Sequence, residues 1–154
     1  MKQAIGGATI INIVIIFIII IFALLAATFS YAKAYKVNTK IMNGIEIYEG
    51  YNEGAASYAN RYLSGLGYKK GAKKDCPKVK TLNGQIGALR TVANNDYYYC
   101  VYYYNSSVDG NCYYSYAVVT YINFELPLGG KFDFPVTSRT NRIYNFDESG
   151  GSEC

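Results

Sequence analysis

Histidine is absent from the 154 residues. That removes Ser–His and Cys–His nucleophiles, imidazole metal ligands and the usual proton shuttle near neutral pH. Charge is also missing over a long stretch, from Gln3 to Ala32, between Lys2 and Lys33. The four cysteines, Cys76, Cys100, Cys112 and Cys154, include no C-x-x-C pair. The closely paired ligands of a structural zinc site are therefore lacking, and no metal is expected. The glycine pairs Gly6-Gly7, Gly129-Gly130 and Gly150-Gly151 stand alone, outside the strand–loop–helix setting a phosphate cradle needs. Carboxylates are scattered, and a net charge of +4 does not call for nucleic acid as a partner. No catalytic residue and no cofactor are expected, and an enzyme is the least favoured class.

What the chain does have begins with Ala8–Phe29 (ATIINIVIIFIIIIFALLAATF), 22 residues without a charge. As a helix this segment reaches about 33 Å, enough to cross a bilayer core. It can be a cleaved secretory signal, a plain transmembrane anchor, or a helix that leaves the membrane for a bundle of its own copies. Ala32-Lys33-Ala34 has the small-x-small form of a signal cleavage site, but the apolar run is longer than such signals need. The sequence that follows favours continuity. Ala34, Val37, Ile41, Ile45 and Tyr48 form a stripe at helical spacing, with Lys33, Lys36, Lys40, Asn43 and Glu46 between them. No proline interrupts, Gly44 weakens the helix by about 1 kcal/mol, and Gly50 suits its C-terminal stop. One helix is expected from Ala8 to Glu49, apolar all round at first and two-faced afterwards. A discarded signal has no use for that second half.

Asn52 can cap a second helix over Glu53–Ser64, with Ala55, Ala59, Tyr62 and Leu63 on one side. Lys69–Lys80 (KKGAKKDCPKVK) carries six lysines and one acid. It reads mainly as a solvated loop held by Cys76, with a patch for an anionic polymer or phospholipid headgroups as the functional alternative. From Gly87 the chain reads as antiparallel sheet: a weak strand at Ala88–Ala93, strong ones at Tyr97–Tyr104 and Cys112–Leu126, and further ones at Lys131–Pro135 and Thr137–Phe146. Turns are expected at Asn105–Asn111 and Pro127–Gly130. Residues 147–154 form a polar tail, expected to be mobile unless Cys154 is bridged.

Tyrosine is the compositional outlier, with 18 residues. Alternation puts Tyr97, Tyr99, Val101 and Tyr103 on one face of a strand and Tyr98, Cys100, Tyr102 and Tyr104 on the other. One face can pack on the helix. The other needs cover from a neighbouring subunit or from loops of the same chain, and the sequence does not choose. Four cysteines allow three pairings, which spacing does not separate; of these we favour Cys76–Cys100 with Cys112–Cys154. Asn105-Ser106-Ser107 fits the glycosylation pattern but reads better as turn chemistry.

The start of the chain, MKQAIGG followed by ATIINIVII, has a short basic leader, a glycine and then a hydrophobic helix. It resembles the processing site of type IV pilins and pseudopilins, and three further stretches resemble the tight-adherence pseudopilins and similar short pilin-like proteins: FSYAKAYKVNTKIMNGIE, EGYNEG with RYLSGLGY, and VVTYINFELPLGGKFDFPVTSRTNRIY. The resemblance implies cleavage by a prepilin peptidase between Gly7 and Ala8, with Thr9 second and Asn12 fifth in the mature chain. The family carries Glu at that fifth position; Asn12 keeps a hydrogen-bonding amide in the apolar helix but loses the charge pairing.

The resulting expectation is an α+β fold: a possible leader at 1–7, a long helix at 8–50 (8–29 transmembrane or filament core, 30–50 amphipathic), and a globular domain at 51–146 with a short helix and an antiparallel sheet. The function expected is that of a structural subunit of a type IV pilus-like surface filament, a homo-oligomer assembled through the N-terminal helices with the help of assembly machinery, first membrane-anchored and then at the cell surface. The alternatives are a monomeric, membrane-anchored extracytoplasmic binding protein and a pseudopilin of a secretion or competence apparatus. Lysine counting alone, with Lys33, Lys36 and Lys40 beyond the apolar run, would leave the domain cytoplasmic. Paired cysteines and the tyrosine-rich sheet argue for the outside.

Overall fold

The computed structural model describes residues 2–71, 75–81, 84–126 and 130–144; for residues 2–9, 123–126 and 130–132 it describes the backbone alone. The order of elements is α1 (Lys2–Ile47), α2 (Glu53–Gly65), β1 (Ala88–Arg90), β2 (Cys100–Val108), β3 (Asn111–Leu126), β4 (Gly130–Arg139) and β5 (Ile143–Tyr144). The fold is α+β.

Helix α1 runs unbroken for 46 residues, about 69 Å. It starts before Ala8 and takes Gly6 and Gly7 into its first turns, because extending an existing helix costs far less than nucleating one. Its end also differs from expectation. Glu49, not a glycine, takes the left-handed conformation at φ 49°. The Gly50 amide then reaches back to the Ile45 carbonyl at 2.8 Å, and the Glu49 amide to that of Glu46 at 3.4 Å. This is the Schellman closure, with Gly50 one place further out than the usual glycine.

Asn52 caps α2, its side-chain oxygen accepting from the Ala55 amide at 2.9 Å. The helix buries Ala55, Ala56, Ala59 and Leu63 against α1 and the sheet. Tyr62, expected on that side, is 41% exposed. Ala56 takes the place assigned to it, because the two helices meet along small residues and a ring does not fit the seam. Gly44 shows how close they come: a Cβ there would lie 2.9 Å from the Tyr58 ring and 3.2 Å from the Ala55 carbonyl oxygen. Gly54 receives the Tyr48 ring in the same way, at 2.8 Å. Tyr48, placed on the buried stripe by its spacing, is 44% exposed, since it falls just past the last helical residue.

The sheet is antiparallel throughout, in the order β1-β2-β3-β4, with β5 beside β3. The turn between β2 and β3 is tighter than the Asn105–Asn111 segment suggested. Val108 pairs with Asn111, and only Asp109 and Gly110 turn the chain, both left-handed at φ 52° and 77°. That is the twist a two-residue hairpin requires. β2 correspondingly begins at Cys100 rather than Tyr97; Tyr97 makes an isolated bridge to Lys70. The strand expected at Lys131–Pro135 runs on through Pro135 as β4, and of the one expected at Thr137–Phe146 the remainder is the short β5; Pro135 lies opposite Tyr121 at the sheet edge, where its missing N–H removes no ladder bond. The Pro127–Gly130 turn falls mostly outside the described residues, as do Asn145, Phe146 and the tail.

One face of the sheet meets the helices. Val37, Ile41 and Ile45 of α1, the alanines and Leu63 of α2, and Tyr97, Tyr99, Val101, Tyr116 and Val118 form its core. At its centre Asn38 is fully buried. Its amide nitrogen donates to the Val118 and Val136 carbonyls, both at 3.1 Å, and lies 3.4 Å from the Thr120 hydroxyl oxygen. Thr120 in turn donates to the Ala34 carbonyl. A polar clamp thus fixes α1 in register on β3 and β4.

Candidate functional site: the exposed half of α1 and its neck

From Ile10 to Phe29 no residue of the helix is buried, and all but Ala23 are exposed. Ile10, Phe17, Phe22 and Phe29 are 62–74% exposed. This half is long and apolar enough to cross a membrane, and none of it is buried within the molecule. The same test is passed by a signal sequence. Polar side chains here are few. Thr28 satisfies its hydroxyl within the helix, at the Leu24 carbonyl, 2.8 Å. Asn12 is exposed among isoleucines. Ala23, Ala26 and Ala27 leave one side of the rod thin enough for a second helix to approach closely. Gly7 and Ala8 lie within α1, ahead of the residues whose side chains are described.

Above this half lies a neck where α1 enters the domain. Tyr31 and Tyr35, one turn apart, are both 56% exposed. The Lys33 ammonium donates to the Gly67 carbonyl at 2.8 Å, tying α1 to the end of α2. Beside it, Tyr35, Lys36, Thr39 and Lys40 face Tyr62, Gly65 and Leu66 across a cleft of about 490 Å³. The Lys40 ammonium sits 4.6 Å from the centre of the Tyr62 ring, a cation–π arrangement. The sequence pattern gave these lysines only as the wet side of the stripe. The pairing of Tyr31 with Tyr35 next to them was the available signal.

The far face of the sheet carries Cys100, Tyr102, Tyr104, Ala117, Val119 and Tyr121. It is covered by the chain itself. Cys76 and Cys100 form a disulfide, which brings Cys76–Lys80 across the tyrosines. Tyr102 donates to the Pro77 carbonyl, and Tyr104 to that of Val79 at 2.9 Å. Arg139 lies over the Tyr104 ring and donates to the Lys80 carbonyl. Of the two covers open to this face, the structure shows the intrachain one. Within the lysine-rich segment, Lys69 stands over the Tyr98 ring at 4.4 Å, and Lys78 and Lys80 belong to the flap. Cys112 is also disulfide-bonded; Cys154, its expected partner, lies outside the described residues.

Burial raises the pKa of several of these phenols. Tyr51 and Tyr68 in the helix-side core, and Tyr102 and Tyr121 under the flap, are each pushed up to about 12, chiefly by loss of solvent. Tyr99 is raised further still by burial, with the neighbouring Tyr51, whose hydroxyl is 3.1 Å away, adding to the shift.

No known protein family, curated protein or solved structure matches the chain.

Proposed function

We propose that this protein is a structural subunit that assembles into a filament through the first half of α1, after or during passage through a membrane. The observation that carries this reading is the contrast within one continuous helix. Residues 34–45 are keyed into a sheet, while residues 10–29 offer some 30 Å of isoleucine, leucine and phenylalanine left exposed among the described residues. Burying each large side chain gains about 1.5–3 kcal/mol relative to water. Lipid supplies much of that gain already, so packing between copies must make the difference, through the thin alanine side of the rod and the Asn12 amide. The resemblance of MKQAIGG-ATIINIVII to a prepilin leader supports the same reading, with Gly7 and Ala8 as the processing site.

Mechanical shearing of cells that express the chain separates this function from that of a solitary anchor. A filament subunit appears in the sheared fraction as fibres visible by negative-stain microscopy, with an intact mass beginning at Ala8. If the chain stays wholly with the membrane fraction at full mass, the filament reading fails and the anchored binding protein takes its place.

A further inference from the structure

The cleft at the neck is built for a ligand of mixed character, and its position says which. Its walls are the rings of Tyr35 and Tyr62, Leu66 and the methylene stems of Lys36 and Lys40, with no acidic residue among the lining side chains. Lysine buries its stem along apolar surface and keeps the ammonium at the rim, so the cleft pairs a greasy interior with a cationic edge. Lys36 lies seven residues beyond Phe29, about 10 Å along the axis, and Lys40 about 16 Å. Tyr31 and Tyr35, exposed between them and the apolar run, are placed as interfacial tyrosines are. Lys33 is engaged with Gly67, which brings the end of α2 down to the same level.

We propose that this cleft holds one anionic phospholipid at the surface of the membrane that α1 enters. The two ammonium groups take the phosphate, and the glycerol and upper acyl segments lie against Tyr35, Tyr62 and Leu66. The proposal rests on the reading of residues 10–29 as a membrane-embedded segment, and on nothing about filaments. Charge complementarity selects the occupant: an uncharged apolar partner would leave the cationic rim without a matching negative charge, whereas each lysine near an anionic surface adds attraction to it.

The test uses the full chain, reconstituted in nanodiscs of equal parts phosphatidylglycerol and phosphatidylcholine and released for native mass spectrometry. The expected result is one retained lipid, phosphatidylglycerol over phosphatidylcholine by roughly thirty-fold, as two lysines at an anionic surface would give. Lys36→Gln with Lys40→Gln abolishes the preference. Lys78→Gln with Lys80→Gln, the same loss of charge on the opposite face, leaves it intact. Equal retention of both lipids, or equal loss in the two double variants, overturns the proposal. Flotation of the unaltered chain with pure phosphatidylcholine vesicles is measured alongside. A chain that floats but shows no lipid preference refutes the cleft alone, and a chain that does not float refutes the membrane reading beneath it.

Discussion

At the scale of single residues, the molecule is organised by tyrosine hydroxyls and one amide. Tyrosine lets both sheet faces be buried, because each ring fills space while its hydroxyl finds a carbonyl: Tyr68 donates to the Tyr98 carbonyl at 3.0 Å, Tyr104 to that of Val79, Tyr114 to that of Glu49. The cost appears at high pH. Tyr51, Tyr68, Tyr102 and Tyr121 have folded pKa values raised from 10 to about 12. Below pH 10 these phenols are neutral in both states and impose no pH dependence. Between pH 10 and 12 the unfolded chain loses their protons and the folded one keeps them, so stability falls as pH rises. Titration followed by phenolate absorbance should therefore show Tyr51, Tyr68, Tyr102 and Tyr121 ionising only together with the loss of near-ultraviolet dichroism. A single smooth titration with tertiary structure retained above pH 12 would contradict this burial. The alternation of faces was legible in the sequence, since the strand period alone divides Tyr97, Tyr99 and Val101 from Cys100, Tyr102 and Tyr104. Asn38 was not. A polar residue beside Val37 carries no mark of whether it meets water or three strand oxygens, because that depends on β3 and β4, some 80 to 98 residues away.

Among the elements, the α1–α2 contact is the most demanding. On sequence Gly44 counted only as a weak point in a helix. In the structure it is the place where α2 passes within reach of the α1 backbone, and Gly54 returns the arrangement. Gly44→Val should destabilise the domain by about 1–3 kcal/mol, the range for overpacking a close contact, although it removes a poor helix former. Thermal unfolding in detergent, followed by near-ultraviolet dichroism, reads the sign; a rise in midpoint would show that the crossing is loose. The caps show the limit of element-level reading. Asn52 was legible because an N-cap is a local matter of one side chain and one amide. The α1 terminus and the start of β2 shifted by two or three residues because hairpin register and helix packing, both set at a distance, decide them. The flap was legible in part: the favoured Cys76–Cys100 pairing, joining residues 24 apart, is present, but spacing did not choose loops of the same chain over a neighbouring subunit as the cover. A crosslink closing a loop of that length contributes about 3 kcal/mol by restricting the unfolded chain.

For the whole molecule, the division of labour along α1 is sharp. Its first half adds nothing to the described core, and its second half supplies Ala34, Val37, Asn38, Ile41 and Ile45. A chain beginning at Ser30 should therefore fold as the full chain does, with a melting temperature within a few degrees of it and without need of detergent. Size-exclusion chromatography and dichroism check both points, and loss of the fold would mean that residues before Ser30 stabilise the domain by a route the contacts do not show. The layout of long helix, short helix and antiparallel sheet was open to sequence reading because it follows from local periods. The neck cleft was not, because it exists only where α2 folds back along α1, and the angle at which the two helices meet is not written in either one's period.

The absence of any break in α1, with Asn38 bolting it to β3 and β4, gives the molecule a fixed compass bearing. Each residue of an α-helix turns its successor by about 100° and lifts it about 1.5 Å. Adding a single isoleucine within residues 10–29 would swing the tyrosine flap to a different quarter of the horizon around the axis, whereas adding seven would return it to within about 20° of its starting heading. Which side of the domain looks outward, and which looks toward a neighbour, is in this way written into the length of the greasy stem.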